Sequence, residues 1–132
     1  MKKCIIISLS RFVVLCSSAC TTGKEEEKSP YDEQVVLQQA TLLIDHIDQL
    51  DFESVVENST KDIKALGIKT IQDAWETLGD TGKKKTMIEY EMMEQGGYAV
   101  IGIAMSFEHK DILFTISYDE KMQLAGLYFK AL

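Results

Sequence analysis

Tyr98 to His109 reads YAVIGIAMSFEH. Side chains alternate between the two faces of a strand. Ala99, Ile101, Ile103, Met105 and Phe107 therefore share one face. Tyr98, Val100, Gly102, Ala104 and Ser106 share the other. Both sets are apolar or small, which places this strand in the middle of a sheet. Working outward, Gln95-Gly96-Gly97 is a turn signal. Before it, Thr86, Ile88, Tyr90 and Met92 alternate with Lys85, Met87, Glu89 and Glu91, which predicts a second strand. After it, Lys110-Asp111 turns the chain, and Ile112, Phe114, Ile116 and Tyr118 mark a third strand. Asp119 to Met122 turns it again, and Gln123 to Lys130 forms the last. Gly126 inside that strand predicts a bulge or a close backbone approach.

The segment before the strands has helical period. Tyr31 to Leu50 places Val36, Ala40, Leu43, Ile47 and Leu50 on one face, with Asp32 and Glu33 in the first turn. Asp51 to Asn58 reads as a short helix capped by Asp51, with Phe52, Val55 and Val56 inward. Ser59-Thr60-Lys61-Asp62 resembles a capping box, and Ile63 and Leu66 follow. Gly67 is a stop, Thr70 opens the next helix, and Gly79 ends it. Ile71, Ala74, Trp75 and Leu78 form its apolar face. Helices first and strands afterwards predict an α+β fold. The expected architecture is N-terminal helices packed on a curved four-stranded antiparallel β-sheet, with residues 31–132 as a single domain.

The chain has 132 residues, 45% of them hydrophobic, which is one domain's worth of sequence. It is too short for a barrel enzyme or a two-lobed dinucleotide enzyme. A formal charge of −7 argues against nucleic acid as a partner.

Residues 1–19 have the layout of a signal peptide: Lys2-Lys3, an apolar middle, then Ser17-Ser18-Ala19 before Cys20. Ser17-Ser18-Ala19-Cys20 resembles a bacterial lipobox, in which the cysteine sulfur takes a diacylglycerol and becomes the first residue of the mature chain. Two positions depart from that pattern: Ser17 replaces the usual Leu, and Arg11 interrupts the apolar run. An ordinary secretory signal cleaved near Ala19 is the alternative. Cys4 and Cys16 lie in the leader, so Cys20 is left without a partner for a disulfide. Loss of Lys2, Lys3 and Arg11 leaves 11 of the 14 basic residues against 21 acidic ones, a mature charge of −10. Residues 20–30 supply the lipidated Cys20 and a flexible acidic tether containing Glu25-Glu26-Glu27. The expected location is the outer, extracytoplasmic face of the cell membrane.

Several residues carry a family resemblance. They are Asp51-Phe52-Glu53 with Val56, Trp75, Gly97-Tyr98-Ala99-Val100, Phe107, Asp119 and Ala125-Gly126-Leu127-Tyr128-Phe129. Over residues 35 to 130 the chain resembles the domain of unknown function 3887 family. The resemblance implies a cystatin-like or nuclear-transport-factor-2-like roll, with a cone between sheet and helices. Relatives are exported bacterial proteins, some fused to a hydrolase domain. The family assigns no catalytic residues. Its turn before the last strand usually carries Gly, whereas Met122 stands here, and a positive φ at Met is strained.

Candidate chemistry is sparse. His46 lies beside Asp45 and near Asp48, and a solvated acidic helix face accounts for this cluster better than a metal site. His109 and Asp111 make an acid/base pair only if the strand end faces the cone. Trp75, Tyr90, Tyr98, Tyr118 and Tyr128 are the candidate pocket-lining residues, for an apolar or sugar-like ligand. Ordinary core and sheet packing is their alternative role. Met87, Met92, Met93, Met105 and Met122 suit either an adaptable surface or core filling. No cofactor and no metal is implied. The cystatin inhibitor pattern Gln-x-Val-x-Gly is missing from the sequence. The leading expectation is a non-catalytic binding or interaction module, with an unknown protein or small ligand as partner and a homodimer open. The alternatives are a small-ligand enzyme using a cone-facing Tyr or His, and a structural spacer.

Overall fold

The computed structural model describes residues 30–132, and Tyr31–Leu132 packs as one unit. The expected signal peptide, Cys20 and the expected tether up to Ser29 lie outside the described residues.

Asp32 starts the first helix from outside it. Its carboxylate accepts from the backbone N–H groups of Gln34 at 2.9 Å and Val35 at 3.4 Å. It is therefore the N-cap of α1 (Glu33–Asp48), not a first-turn residue. Val36, Ala40, Leu43, Ile44 and Ile47 form the buried stripe of α1. Leu50 does not join it and is 64% exposed. The helix stops at Asp48, and Leu50 takes a left-handed φ of 61° just beyond the cap. Its N–H donates to Ile47 O at 2.9 Å, and Asp51 N donates to His46 O at 2.8 Å. These are the paired bonds of a Schellman ending, a position that favours Gly.

Asp51 then caps α2 (Phe52–Glu57), which buries Phe52 and Val55. Thr60, one residue later than the expected box, caps α3 (Lys61–Leu66). Gly67 at φ 87° separates α3 from α4 (Ile68–Glu76), which begins two residues before Thr70. Ile71 and Trp75 point inward, whereas Ala74 is exposed.

The strands are β1 (Lys84–Gln95), β2 (Tyr98–Phe107), β3 (Asp111–Tyr118) and β4 (Leu124–Ala131). They pair in sequence order, each antiparallel to the next. The fold is α+β, and β2 is a central strand as its two apolar faces require. Gly96 and Gly97, both at positive φ, form a two-residue hairpin turn. Irregularities near Met87 shift the parity of β1. Tyr90 and Met92 keep the inward face, but Ile88 is exposed rather than aligned with them. Another register shift follows Ser117, next to its partner Gly126. A Cβ on Gly126 would stand 3.2 Å from Ser117 Oγ, so this is the close approach foreseen at that glycine.

The α2–α3 junction is tied to the start of β4. Leu124 N donates to Asn58 O at 2.8 Å, and Thr60 N donates to Leu124 O at 2.9 Å. Asn58 Nδ2 donates to Met122 O at 2.9 Å. Met122 holds a φ of 59° in this turn. Asp119 Oδ1 accepts from Lys121 N and Gln123 N and fixes the turn around it.

Leu50→Gly should stabilise the domain by about 1 kcal/mol, because Gly adopts the left-handed conformation without a Cβ clash. Leu50 is mostly exposed, so little burial is lost. Denaturant unfolding checks this, and a lower midpoint for the variant would refute it.

Candidate functional site

The inner face of the sheet is closed. Ile101, Ile103, Ile112, Phe114 and Ile116 are fully buried with Val36, Ala40, Ile44 and Ile47 of α1. Trp75 from α4 meets Phe107, Phe114 and Phe129 with ring centroids 5.8, 5.8 and 5.3 Å away. The contact with Phe114 is stacked, and that with Phe129 is edge-on. These four rings occupy the space where the resemblance implies a cone.

The other face carries no helix of the described residues. Its rows follow from the strand register: Glu89, Ala104, Leu113 and Lys130; Glu91, Gly102, Thr115 and Tyr128; Met93, Val100, Ser117 and Gly126. A trough of about 270 Å³ lies here, floored by Gly102 and Ala104 and walled by Met93, Val100, Leu113 and Thr115. Small residues in the centre and larger ones at the sides create the concavity. Glu89 and Glu91 line its β1 side.

A smaller groove of about 140 Å³ runs between α1, α2 and the β3 end. Gln39, His46, Ser54, Asn58 and Tyr118 are among its lining residues. Asp51 Oδ2 accepts from Ser54 Oγ at 2.7 Å and lies 3.6 Å from His46 Nδ1. The Ser54 bonds, side chain first and then backbone, hold the Asp51 carboxyl below its ordinary range, and His46 adds to the effect. Ser54 and His46 both address one carboxylate oxygen, so Asp51 serves as cap and bracket. Tyr118 is buried and its phenol is pushed well up by desolvation.

Residues 40–127 match the family described as "Protein of unknown function (DUF3887)". The chain belongs to this family. The match runs from the middle of α1 to the middle of β4, so it takes in both the closed interior and the open face. Among solved structures, the NMR structure of a protein from Ruminococcus gnavus ATCC 29149 is similar. The two are 20% identical with a TM-score of 0.53, over 76% of this chain and 93% of that one. That likeness concerns the fold alone. No curated protein matches the chain.

The five candidate aromatic residues are spread over both sides of the sheet. Trp75 and Tyr118 lie in the core. Tyr90 is half-buried, and its hydroxyl donates to Glu33 Oε2 of α1 at 2.8 Å. Tyr98 and Tyr128 stand on the open face, Tyr128 60% exposed. Among the described residues, no three His, Cys, Asp or Glu converge as metal ligands. His109 Nε2 lies 3.7 Å from Asp80 Oδ2 of the α4–β1 connection, and no interaction joins it to Asp111. Sequence reasoning passed over Glu89, Glu91, Leu113 and Thr115. Their signal was the alternation itself, read across neighbouring strands instead of along one.

Trp75→Ala should cost about 3–5 kcal/mol of stability, since its removal leaves a hole among three rings. A loss under about 1 kcal/mol in denaturant unfolding would show that the rings do not form one packed unit. The Asp51 carboxyl gives a pH prediction. Its folded-state value lies below the unfolded one, so its contribution is complete above the usual carboxylate range and fades as pH falls. The stability gap between wild type and Asp51→Ala should therefore narrow between about pH 6 and pH 2. A gap that widens on acidification would refute this.

Proposed function

We propose that the chain is a lipid-anchored, non-catalytic interaction module on the outer face of the bacterial cell membrane. Cys20 carries the lipid, and residues 20–30 separate the anchor from the folded domain. The fold is read as a cystatin-like or nuclear-transport-factor-2-like roll, which helices packed on one side of an antiparallel meander support. The observation that carries the reading is the contrast between the two faces of the sheet. The inner face is packed shut by the Trp75 ring group. The outer face presents the apolar trough, with Met93 and Tyr128 exposed beside it. An open apolar patch rimmed by polar residues marks an interaction surface. The lipobox-like Ser17-Ser18-Ala19-Cys20 supports the anchor.

A second reading, a small-ligand enzyme, is favoured by one observation. The groove at Tyr118 gathers a phenol, an imidazole and a serine hydroxyl. The shared Asp51 bracket leaves His46 and Ser54 without the direct bond a nucleophile and its base require.

The anchor is tested by Cys20→Ser and by the mass of the native protein. Wild-type chain should enter the membrane fraction, and its first residue should be an acylated Cys20. Cys20→Ser should release at least about tenfold more protein into the soluble fraction, since the two acyl chains of the diacylglycerol dominate such binding. Wild-type protein with residue 20 unmodified or the leader retained would overturn the reading.

A further inference from the structure

We infer that two copies of this chain pair through their open sheet faces, about a two-fold axis parallel to the strands. The inference rests on reading that face as the interaction surface and names its partner. The strand register makes the face self-complementary, row by row. A two-fold axis parallel to the strands keeps each row at its height and reverses its order. β1 then lies over β4 of the second copy, and β2 lies over its β3.

In the first row, Glu89, Ala104, Leu113 and Lys130 meet the same row reversed. Glu89 faces the partner's Lys130, and Lys130 faces the partner's Glu89. Leu113 fills the space above the partner's Ala104. In the second row, Glu91 faces the partner's Tyr128, whose hydroxyl donates to carboxylates readily. Thr115 lies over the partner's Gly102. In the third row, Met93 covers the partner's Gly126, and Val100 covers the partner's Ser117. Leu113, Thr115, Met93 and Val100 each meet a smaller residue, as facing sheets packed ~10 Å apart require. The long side chains of Glu89 with Lys130 and Glu91 with Tyr128 meet through their polar ends at the edges.

Charge selects this axis over the alternative. An axis across the strands would set β1 over β1, with Glu89 and Glu91 against the same acidic edge. Like charges so placed disfavour docking. Among the described residues, neither Glu89 nor Lys130 has an ion-pair partner within the chain, so both are free to serve between copies. The symmetry closes, so pairing ends at two copies.

Carbodiimide, which couples a carboxylate to an amine with no spacer, tests this on the full chain in membranes and in detergent. Within one chain, Glu89 and Lys130 are three strand spacings apart, roughly 14 Å, and cannot be joined without a spacer. Wild type should give a dimer band containing a Glu89–Lys130 crosslink. Lys130→Glu and Glu89→Lys should each weaken pairing by about tenfold or more, and the double exchange should restore it. Thermal melts at a concentration low enough to hold every form as monomer show whether each variant is folded, and these exposed positions should leave those melts unchanged. A monomer throughout, or a dimer indifferent to all three variants, overturns the pairing. Hydroxyl-radical oxidation of Met93 separates the two readings in that event. Met93 shielded in membranes but not after purification means that another molecule covers the face, and only the pairing fails. Met93 equally oxidised in both means that nothing covers it, and the interaction reading falls as well.

Discussion

The indole of Trp75 rests on phenylalanines from three different strands, and much of the molecule follows from that contact. It draws the last helix down across β2, β3 and β4. With α1 it removes the inner sheet face from water, where each fully buried aliphatic side chain contributes roughly 1.5–3 kcal/mol. Four rings and a layer of isoleucines leave that interior filled. The sheet surface left open to solvent is then the face that the helices do not cover.

The connections between layers are held by polar bonds rather than by more burial. Asn58 and Leu124 join the helical region to β4, and Tyr31 Oη donates to Gly97 O at the β1–β2 turn. Lys110 Nζ donates to Leu78 O beyond α4. Leu50, between α1 and α2, and Met122, before β4, hold left-handed backbone conformations. Such conformations cost about 1–3 kcal/mol and persist where surrounding bonds over-determine them. At Met122 the carboxylate of Asp119 and the amide of Asn58 supply those bonds. This explains how a methionine is accommodated where the family resemblance leads one to expect glycine.

The sheet was legible because alternation in Ala99–Phe107 and Ile112–Tyr118 records which side chains share a face. The reading lost the thread where the geometry changes period. An irregularity near Met87 flips parity, so Ile88 faces solvent despite its place in the pattern. Leu50 continued the helical spacing on paper, but the chain had already left the helix. Caps shifted by one residue at Thr60, because Ser59 and Thr60 are equally able acceptors and only the backbone path chooses between them. The aromatic candidates were scattered for a related reason. Alternation assigns residues to faces, but it does not say which face is covered.

From the sequence alone came the order of helices and strands, the central place of β2, the glycine turn at Gly96-Gly97 and the family resemblance. These are local properties: period, turn chemistry and composition act over a few residues. The closure of the interior by Trp75, the trough over Gly102 and Ala104, and the row that runs from Glu89 to Lys130 were decided only by tertiary structure. They join residues from separate strands and helices. Their spacing in the chain carries no record of strand register or of which helix covers which face.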